Sequence, residues 1–174
     1  MNDDTRAPYP PDPDEETASP DTLDDVADAR VENGDFSNTR ARGSSLRRVE
    51  LHLCRLTGIE LAEAVWSDVV LTDCRADYAG LRHARLERVV LRDCRLEEAD
   101  FGGAALTDVA FERCGLRRAS FAGARLERVH LAGCDLSELV GVEALRGARM
   151  PWNDVLQNAP LFAQALGIRA LADE

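Results

Sequence analysis

A five-residue period limits what this chain can fold into more than anything else in it. From Ala29 to Glu138 an apolar residue stands at almost every position numbered one above a multiple of five, running from Val31 and Phe36 through Leu51, Trp66, Leu91 and Phe111 to Leu136. Neither an α-helix, with its period of about 3.6, nor a strand, with its period of 2, repeats in this way. The residue two places earlier is also small or apolar, and it carries a slower rhythm: Val49, Val69, Val89, Val109 and Val129, then Cys54, Cys74, Cys94, Cys114 and Cys134. Two inward side chains separated by one outward side chain describe a short extended segment, and the remaining two residues make a corner. Four such corners close a loop. Each side chain then returns twenty residues later, above its predecessor, at the inter-strand spacing of roughly 4.8 Å. A three-sided coil would bring it back after fifteen, which the cysteine spacing excludes.

The interior of this all-β solenoid can be written as four ladders. The valines share one face with Leu51, Leu71, Leu91, Phe111 and Leu131, and the cysteines share the next with Leu56, Ala76, Leu96, Leu116 and Leu136. Ile59, Ala79, Ala99 and Ala119 stand with Leu61, Leu81, Phe101 and Phe121; Ala64, Ala84, Ala104 and Ala124 stand with Trp66, Leu86, Leu106 and Leu126. Small residues at one inward place and large ones at the other fill a narrow square bore. At about 1.5–3 kcal/mol for each buried Leu or Phe, the column suffices to stabilise a one-dimensional stack.

Units such as Ala99-Asp100-Phe101-Gly102-Gly103, Ala119-Ser120-Phe121-Ala122-Gly123 and Cys134-Asp135-Leu136-Ser137-Glu138 resemble the pentapeptide-repeat family over 22 consecutive units, about 110 of the 174 residues. The resemblance implies a right-handed quadrilateral β-helix. The family pattern often has Asp or Asn before the central Leu, whereas here that place is frequently Arg, Val or Glu.

The flanks differ from the repeat. Residues 1–28 read as an acidic, proline-rich tail: Met1 to Pro20 holds five of the seven prolines and six acids against one arginine, a composition that disfavours order. Leu23, Val26 and Ala27 suggest a short helix over 21–28, and the first coil, Ala29 to Arg48, is degenerate in the manner of a capping repeat. The repeat occupies 29–138. Over 139–174 the inward positions are expected to slip by one, to Val140, Leu145 and Met150, before Pro151. Asn153 or Asp154 as a cap, Pro160 in a first turn and Gly167 at a C′ position then outline a helical cap. Val155, Ala159, Phe162 and Leu166 lie on one face of it, which either covers the open edge of the last coil or docks a second copy of the chain. The resemblance to dimeric family members suggests a homodimer through Val155, Phe162 and Leu166.

Little chemistry is visible. The cysteine spacing equals the coil period, so the thiols form an interior ladder with parallel Cβ vectors, unsuited to disulfides, and close pairs such as Cys-x-x-Cys are absent. His52, His83 and His130 fall on outward places, without a paired base or nucleophile. Outward charges alternate in sign, as in Asp68, Arg88, Asp108 and Arg128, while Arg55, Arg75 and Arg95 have Asp73, Asp77, Asp93 and Glu97 near them. Gly102 and Gly103 match no phosphate loop and read as corner residues. No cofactor and no metal is expected. One outward column, Val70, Val90 and Ala110, is apolar where the surface should be polar; it is either ordinary scattered exposure or a contact stripe.

The net charge of −11 resides mostly in the first 43 residues, which hold 12 acids against 4 arginines, while residues 44–139 hold 16 against 14. Direct nucleic-acid binding is therefore not expected, nor a membrane span, and the absence of a basic start with an apolar h-region makes a cytoplasmic location the default. The expected function is that of a non-enzymatic module presenting stacked side chains to a protein partner of unknown identity. The resemblance supplies an alternative, since some pentapeptide-repeat proteins protect DNA gyrase from quinolones by imitating duplex DNA.

Overall fold

A computed structural model of the chain describes residues 6–11 and 22–169. Its body is a four-sided β-solenoid of about five turns. The long strands β1 (Asp25–Glu32), β2 (Ser45–His52), β3 (Val65–Thr72), β4 (Arg85–Arg92) and β5 (Ala105–Glu112) each bend at a central left-handed corner and so span two adjacent faces, which the short β6 (Arg125–Glu127) and β7 (His130–Ala132) continue separately. All pair in parallel and in a register of twenty, as in Val49↔Val69 and Leu71↔Leu91. The other faces are held by single bridges at the same interval, Arg55↔Arg75↔Arg95 on one and Glu60↔Gly80↔Asp100 on the next.

The corners rest on a conformation that the apolar pattern does not announce. The fifth residue of each five-residue unit, from Asp28 to Glu138, has φ between +51° and +71°. Eighteen of these residues are not glycine, including Leu53, Tyr78 and Arg113. Each pays a steric cost for the left-handed region, which the stacked hydrogen bonds on both sides override. Two corners in each coil are closed turns, for example Ile59 N–H donating to the Leu56 carbonyl at 3.1 Å and Ala64 N–H to that of Leu61 at 3.0 Å.

The bore is packed as the ladders require. Val49, Val69, Val89, Cys54, Cys74, Ala84, Leu91, Phe101, Leu106 and Phe121 are all buried. Near the C-terminal end Phe101 and Phe121 stack at 4.8 Å, and Phe111 meets both edge-on across the bore at 5.8 and 6.0 Å. At the ends of the stack the ladders become partly accessible, at Val26 in β1 and at Leu126 and Cys134 in the last coil.

Two expectations at the ends are corrected. Of the segment 21–28, the described residues 22–28 form no helix: Val26 stands at the central inward place and pairs in parallel with Leu46, so β1 begins at Asp25, and Leu23 is fully buried at the end of the stack. Its helical spacing from Val26 had a different cause. At the other end the register holds two residues further than expected, since Val140 bridges Ser120 and is 52% exposed, while Leu139 is the inward residue.

Candidate interaction surfaces

Beyond Val140 the chain turns through a 3-10 segment, Val142–Leu145, then α1 (Trp152–Gln157) and α2 (Ala159–Ala165). This cap closes the last coil by hydrogen bonding as well as by packing. Leu131 N–H donates to the Arg149 carbonyl and Arg149 N–H to that of Val129, both at 2.9 Å, so Arg149 stands in for a missing strand. The Asp154 carboxylate accepts the Gly133 N–H at 2.6 Å, acting on the exposed coil rather than as a cap of its own helix. Pro160 does occupy the first turn of α2, and Gly167 is left-handed with its N–H on the Gln164 carbonyl, while Ile168 N–H reaches that of Ala163 at 2.8 Å. That pair of bonds is a Schellman ending.

Within the cap lies an open cleft of about 640 Å³, with Glu143, Arg146 and Arg149 among its lining residues. Val142, Leu145, Ala148 and Met150 line it from one side, and Val155, Phe162, Ala165 and Leu166 from the other. The structure thus brings together the three residues that the sequence marked in this segment. Leu145 is buried and Phe162 packs partly on the core, whereas Leu166 is 74% exposed, and Trp152, Leu156 and Ile168 are exposed beside it.

The second surface is the outer side of β3–β5. Val70 and Val90 are half-buried and Ala110 is buried, although the sequence places all three outward. They are shielded by the chain's own N-terminal segment, which the composition marks as disordered. Residues 6–11 lie across the sheet, with the Tyr9 N–H donating to Asp68 Oδ1 at 3.1 Å and the Arg6 N–H to Asp108 Oδ1 at 3.3 Å. Pro11 is buried, and a cavity of about 320 Å³ remains between the segment and the stripe, lined by Ala7, Pro8, Val70, Val90, Ala110 and His130. Residues 1–5 and 12–21 of the tail lie outside the described residues.

Asp68 and Asp108 belong to the alternating column, and they are less solvated than an outward position suggests, at 6% and 3% exposed. Arg128 binds both oxygens of Asp108 at 2.7 and 2.9 Å, and Arg88 those of Asp68 at 2.6 and 2.9 Å; Arg48 does the same to Asp28. The Arg128 hydrogen bonds hold the Asp108 carboxyl below the usual carboxylate range. At Asp68 burial pushes upward and is outweighed by hydrogen bonds from Arg88, the Tyr9 N–H and Ser67, so its pKa is lowered too. Elsewhere Arg113 pairs with Asp93 at 2.7 Å, Arg92 with Glu112 at 2.6 Å and Arg95 with Asp77 at 3.3 Å.

The cysteines form the expected ladder of free thiols. Each Sγ lies within hydrogen-bond reach of the carbonyl 23 residues earlier, as with Cys74 and Leu51 at 3.4 Å or Cys114 and Leu91 at 3.3 Å. Hydrogen bonding to neighbouring thiols pushes Cys54, Cys94 and Cys134 upward and Cys74 and Cys114 downward, so the shifts alternate along the ladder, while burial pushes all five upward. Among the described residues no three of His, Cys, Asp or Glu gather as a metal-binding group. No described helix is long and apolar enough to cross a membrane.

Comparison with known proteins agrees with this architecture. The family model described as pentapeptide repeat region matches residues 44–121, and that described as pentapeptide repeats (8 copies) matches residues 114–139. No curated protein matches the chain. Among solved structures, a pentapeptide repeat protein from the Arabidopsis thaliana thylakoid lumen is similar at 23% identity and a TM-score of 0.51, over 53% of this chain and 65% of that one, so the likeness spans just under two thirds of that protein. HetL, a pentapeptide repeat protein involved in heterocyst differentiation regulation from Nostoc sp. strain PCC 7120, is similar at 24% identity and a TM-score of 0.45 over 74% of this chain and 73% of that one. Trypsin-treated QnrB1, a plasmid-mediated fluoroquinolone resistance protein, is similar at 17% identity and a TM-score of 0.43 over 86% and 99%. With two family models running together from residue 44 to residue 139, more than half its length, and coils that repeat every twenty residues, the chain belongs to the pentapeptide repeat family.

Proposed function

We propose that the chain is a non-enzymatic protein-interaction module: a rigid rod that presents its C-terminal cap to other proteins and pairs first with a second copy of itself. The observation that carries this reading is the mostly apolar cleft within the cap, where Val155, Phe162 and Leu166 line about 640 Å³ of open space together with Val142 and Met150. Trp152, Leu156 and Ile168 of the same C-terminal segment are also exposed. Large exposed apolar patches of this kind mark association sites more often than they occur idly, and a copy of the same cap offers a self-complementary apolar surface.

Electrostatics favours this reading over imitation of duplex DNA, which carries about one negative charge per 1.7 Å of axis. Many acids of the coils are paired with an arginine of the adjacent coil, as in Asp68–Arg88, Asp93–Arg113, Asp108–Arg128 and Glu112–Arg92. What remains over residues 44–139 is 16 acids against 14 arginines. Affinity capture from the native host with the parent chain and with Phe162→Glu tests the proposal. Partners retained by the parent and lost with Phe162→Glu support it; identical partner sets, or salt-sensitive inhibition of gyrase supercoiling by the purified protein, count against it.

A further inference from the structure

The N-terminal segment crosses the sheet in a way that fits a repeating feature of the rod. Arg6-Ala7-Pro8-Tyr9-Pro10-Pro11 holds three prolines in six residues. Proline fixes its own φ near −65° and drives the residue before it toward extended backbone. Ala7, Pro8, Tyr9, Pro10 and Pro11 are all subject to one or both constraints, which favours the polyproline II helix. That helix has three residues per turn and a rise of about 3.1 Å, so the N–H groups of residues 6 and 9 point to the same side about 9.3 Å apart.

The rod offers acceptors at a matching interval. Along the column Asp68, Arg88, Asp108 and Arg128 the sign alternates, so carboxylates recur only every second coil, at two inter-strand spacings or about 9.6 Å. The two N–H groups meet these two carboxylates, at 3.1 and 3.3 Å. Both carboxylates are nearly buried, and each is held in place by a two-pronged arginine. Beside them Pro8 lies against the Val70, Val90 and Ala110 column.

We propose that this outer face is a docking track for an extended proline-rich peptide with free N–H groups three residues apart, and that residues 6–11 occupy it in cis. The chemistry selects such a peptide because prolines, lacking N–H, remove three of the six backbone donors over the apolar stripe, and of the three that remain, on Arg6, Ala7 and Tyr9, those of Arg6 and Tyr9 reach fixed anions. The occupancy is incomplete. A cavity of about 320 Å³ persists beneath the segment and Tyr9 is 66% exposed, so the cis segment is exchangeable for a better-fitting one. Tethering supplies an effective concentration in the millimolar range, which keeps the track closed to weak competitors. This surface is separate from the cap, so the inference stands or falls independently of the pairing proposed there.

The test uses the full ¹⁵N-labelled chain and a full-length variant carrying Pro8→Gly, Pro10→Gly and Pro11→Gly, changes that lie outside the rod and leave its packing intact. The probe is the acetylated hexapeptide Arg-Ala-Pro-Tyr-Pro-Pro. In the parent the Arg6 and Tyr9 amides are expected to exchange at least about tenfold more slowly than in a free peptide, and in the variant to lose that protection. Added hexapeptide should shift the Val70, Val90 and Ala110 amides of the variant at about tenfold lower concentration than in the parent. Unprotected Arg6 and Tyr9 amides in the parent, no shift in the variant at millimolar peptide, or equal shifts from a hexapeptide with glycine in place of proline would each overturn the proposal.

Discussion

Gly141 and Gly123 permit a matched experiment, because they share a backbone conformation and differ in the space around them. Gly123 has φ +69° and nothing within 4 Å of where a Cβ would stand. Gly141 has φ +76°, and the same atom would lie 2.5 Å from the Ala122 nitrogen, 2.6 Å from its Cα and 2.7 Å from the Phe121 carbonyl carbon. Alanine in the left-handed region costs about 1–2 kcal/mol, partly offset by a smaller loss of unfolded-state entropy, so Gly123→Ala should destabilise by about 1 kcal/mol. At Gly141 all three close atoms are backbone, and no rotamer change relieves them. The 3-10 turn must lift, which forfeits much of the roughly 1.5–3 kcal/mol that burial of Leu145 contributes, for a total of about 3–4 kcal/mol. At about 2–4 °C per kcal/mol for a domain of this size, Gly123→Ala should lower the melting temperature by about 2–4 °C and Gly141→Ala by on the order of 10 °C. Circular dichroism follows the rod, while fluorescence separates buried Trp66 from exposed Trp152 in the cap. Equal losses for the two variants would refute the reasoning.

Three further outcomes follow from the bore and the charged column. Leu91→Asp should unfold the rod, since it buries an unpaired charge at a cost of more than about 4 kcal/mol, whereas Arg92→Ser, which breaks only the half-exposed pair with Glu112, should cost less than about 1 kcal/mol; similar melting temperatures would contradict the register. A thiol titration in non-reducing buffer should find five groups on denaturation and slow reaction before it, and three or fewer would contradict the ladder. Because the folded pKa values of Asp68 and Asp108 lie below the unfolded value of about 3.9, their stabilisation is complete above that value and lost as pH falls through the folded ones. Melting temperature should therefore drop below about pH 4 more steeply in the parent than in Asp108→Asn, and parallel curves would sink the attribution.

How much of this was legible in the sequence depends on whether a contact repeats. The four ladders could be read residue by residue because each inward place recurs every twenty residues with the same kind of side chain, and a single misfit such as Ser44 does not disturb the period. The left-handed corners also recur, and just over half of them are Gly, Asn or Asp, the residues that tolerate positive φ best; arginines and glutamates, with Leu53, Tyr78 and His83, at the rest dilute that signal. At the first strand, Leu23 and Val26 are spaced as on a helix, and only the pairing of Val26 with Leu46 reveals the rod's own period. The N-terminal contact left no periodic trace. Arg6 meets Asp108 and Tyr9 meets Asp68 across long separations in sequence, and each pair occurs once. The cap lies between these cases: Phe162, Val155 and Leu166 were visible as a face, but the role of Asp154 in accepting the Gly133 N–H depends on where the last coil ends.

The central claim, that the mostly apolar cleft within the cap joins two copies, is tested most directly by the mass in solution. Light scattering on the parent at high micromolar concentration should give close to twice the chain mass of 19.1 kDa, and Phe162→Glu should return it to the single-chain value while leaving the circular dichroism of the rod unchanged. A parent that scatters as a 19.1 kDa monomer across that range would contradict the account.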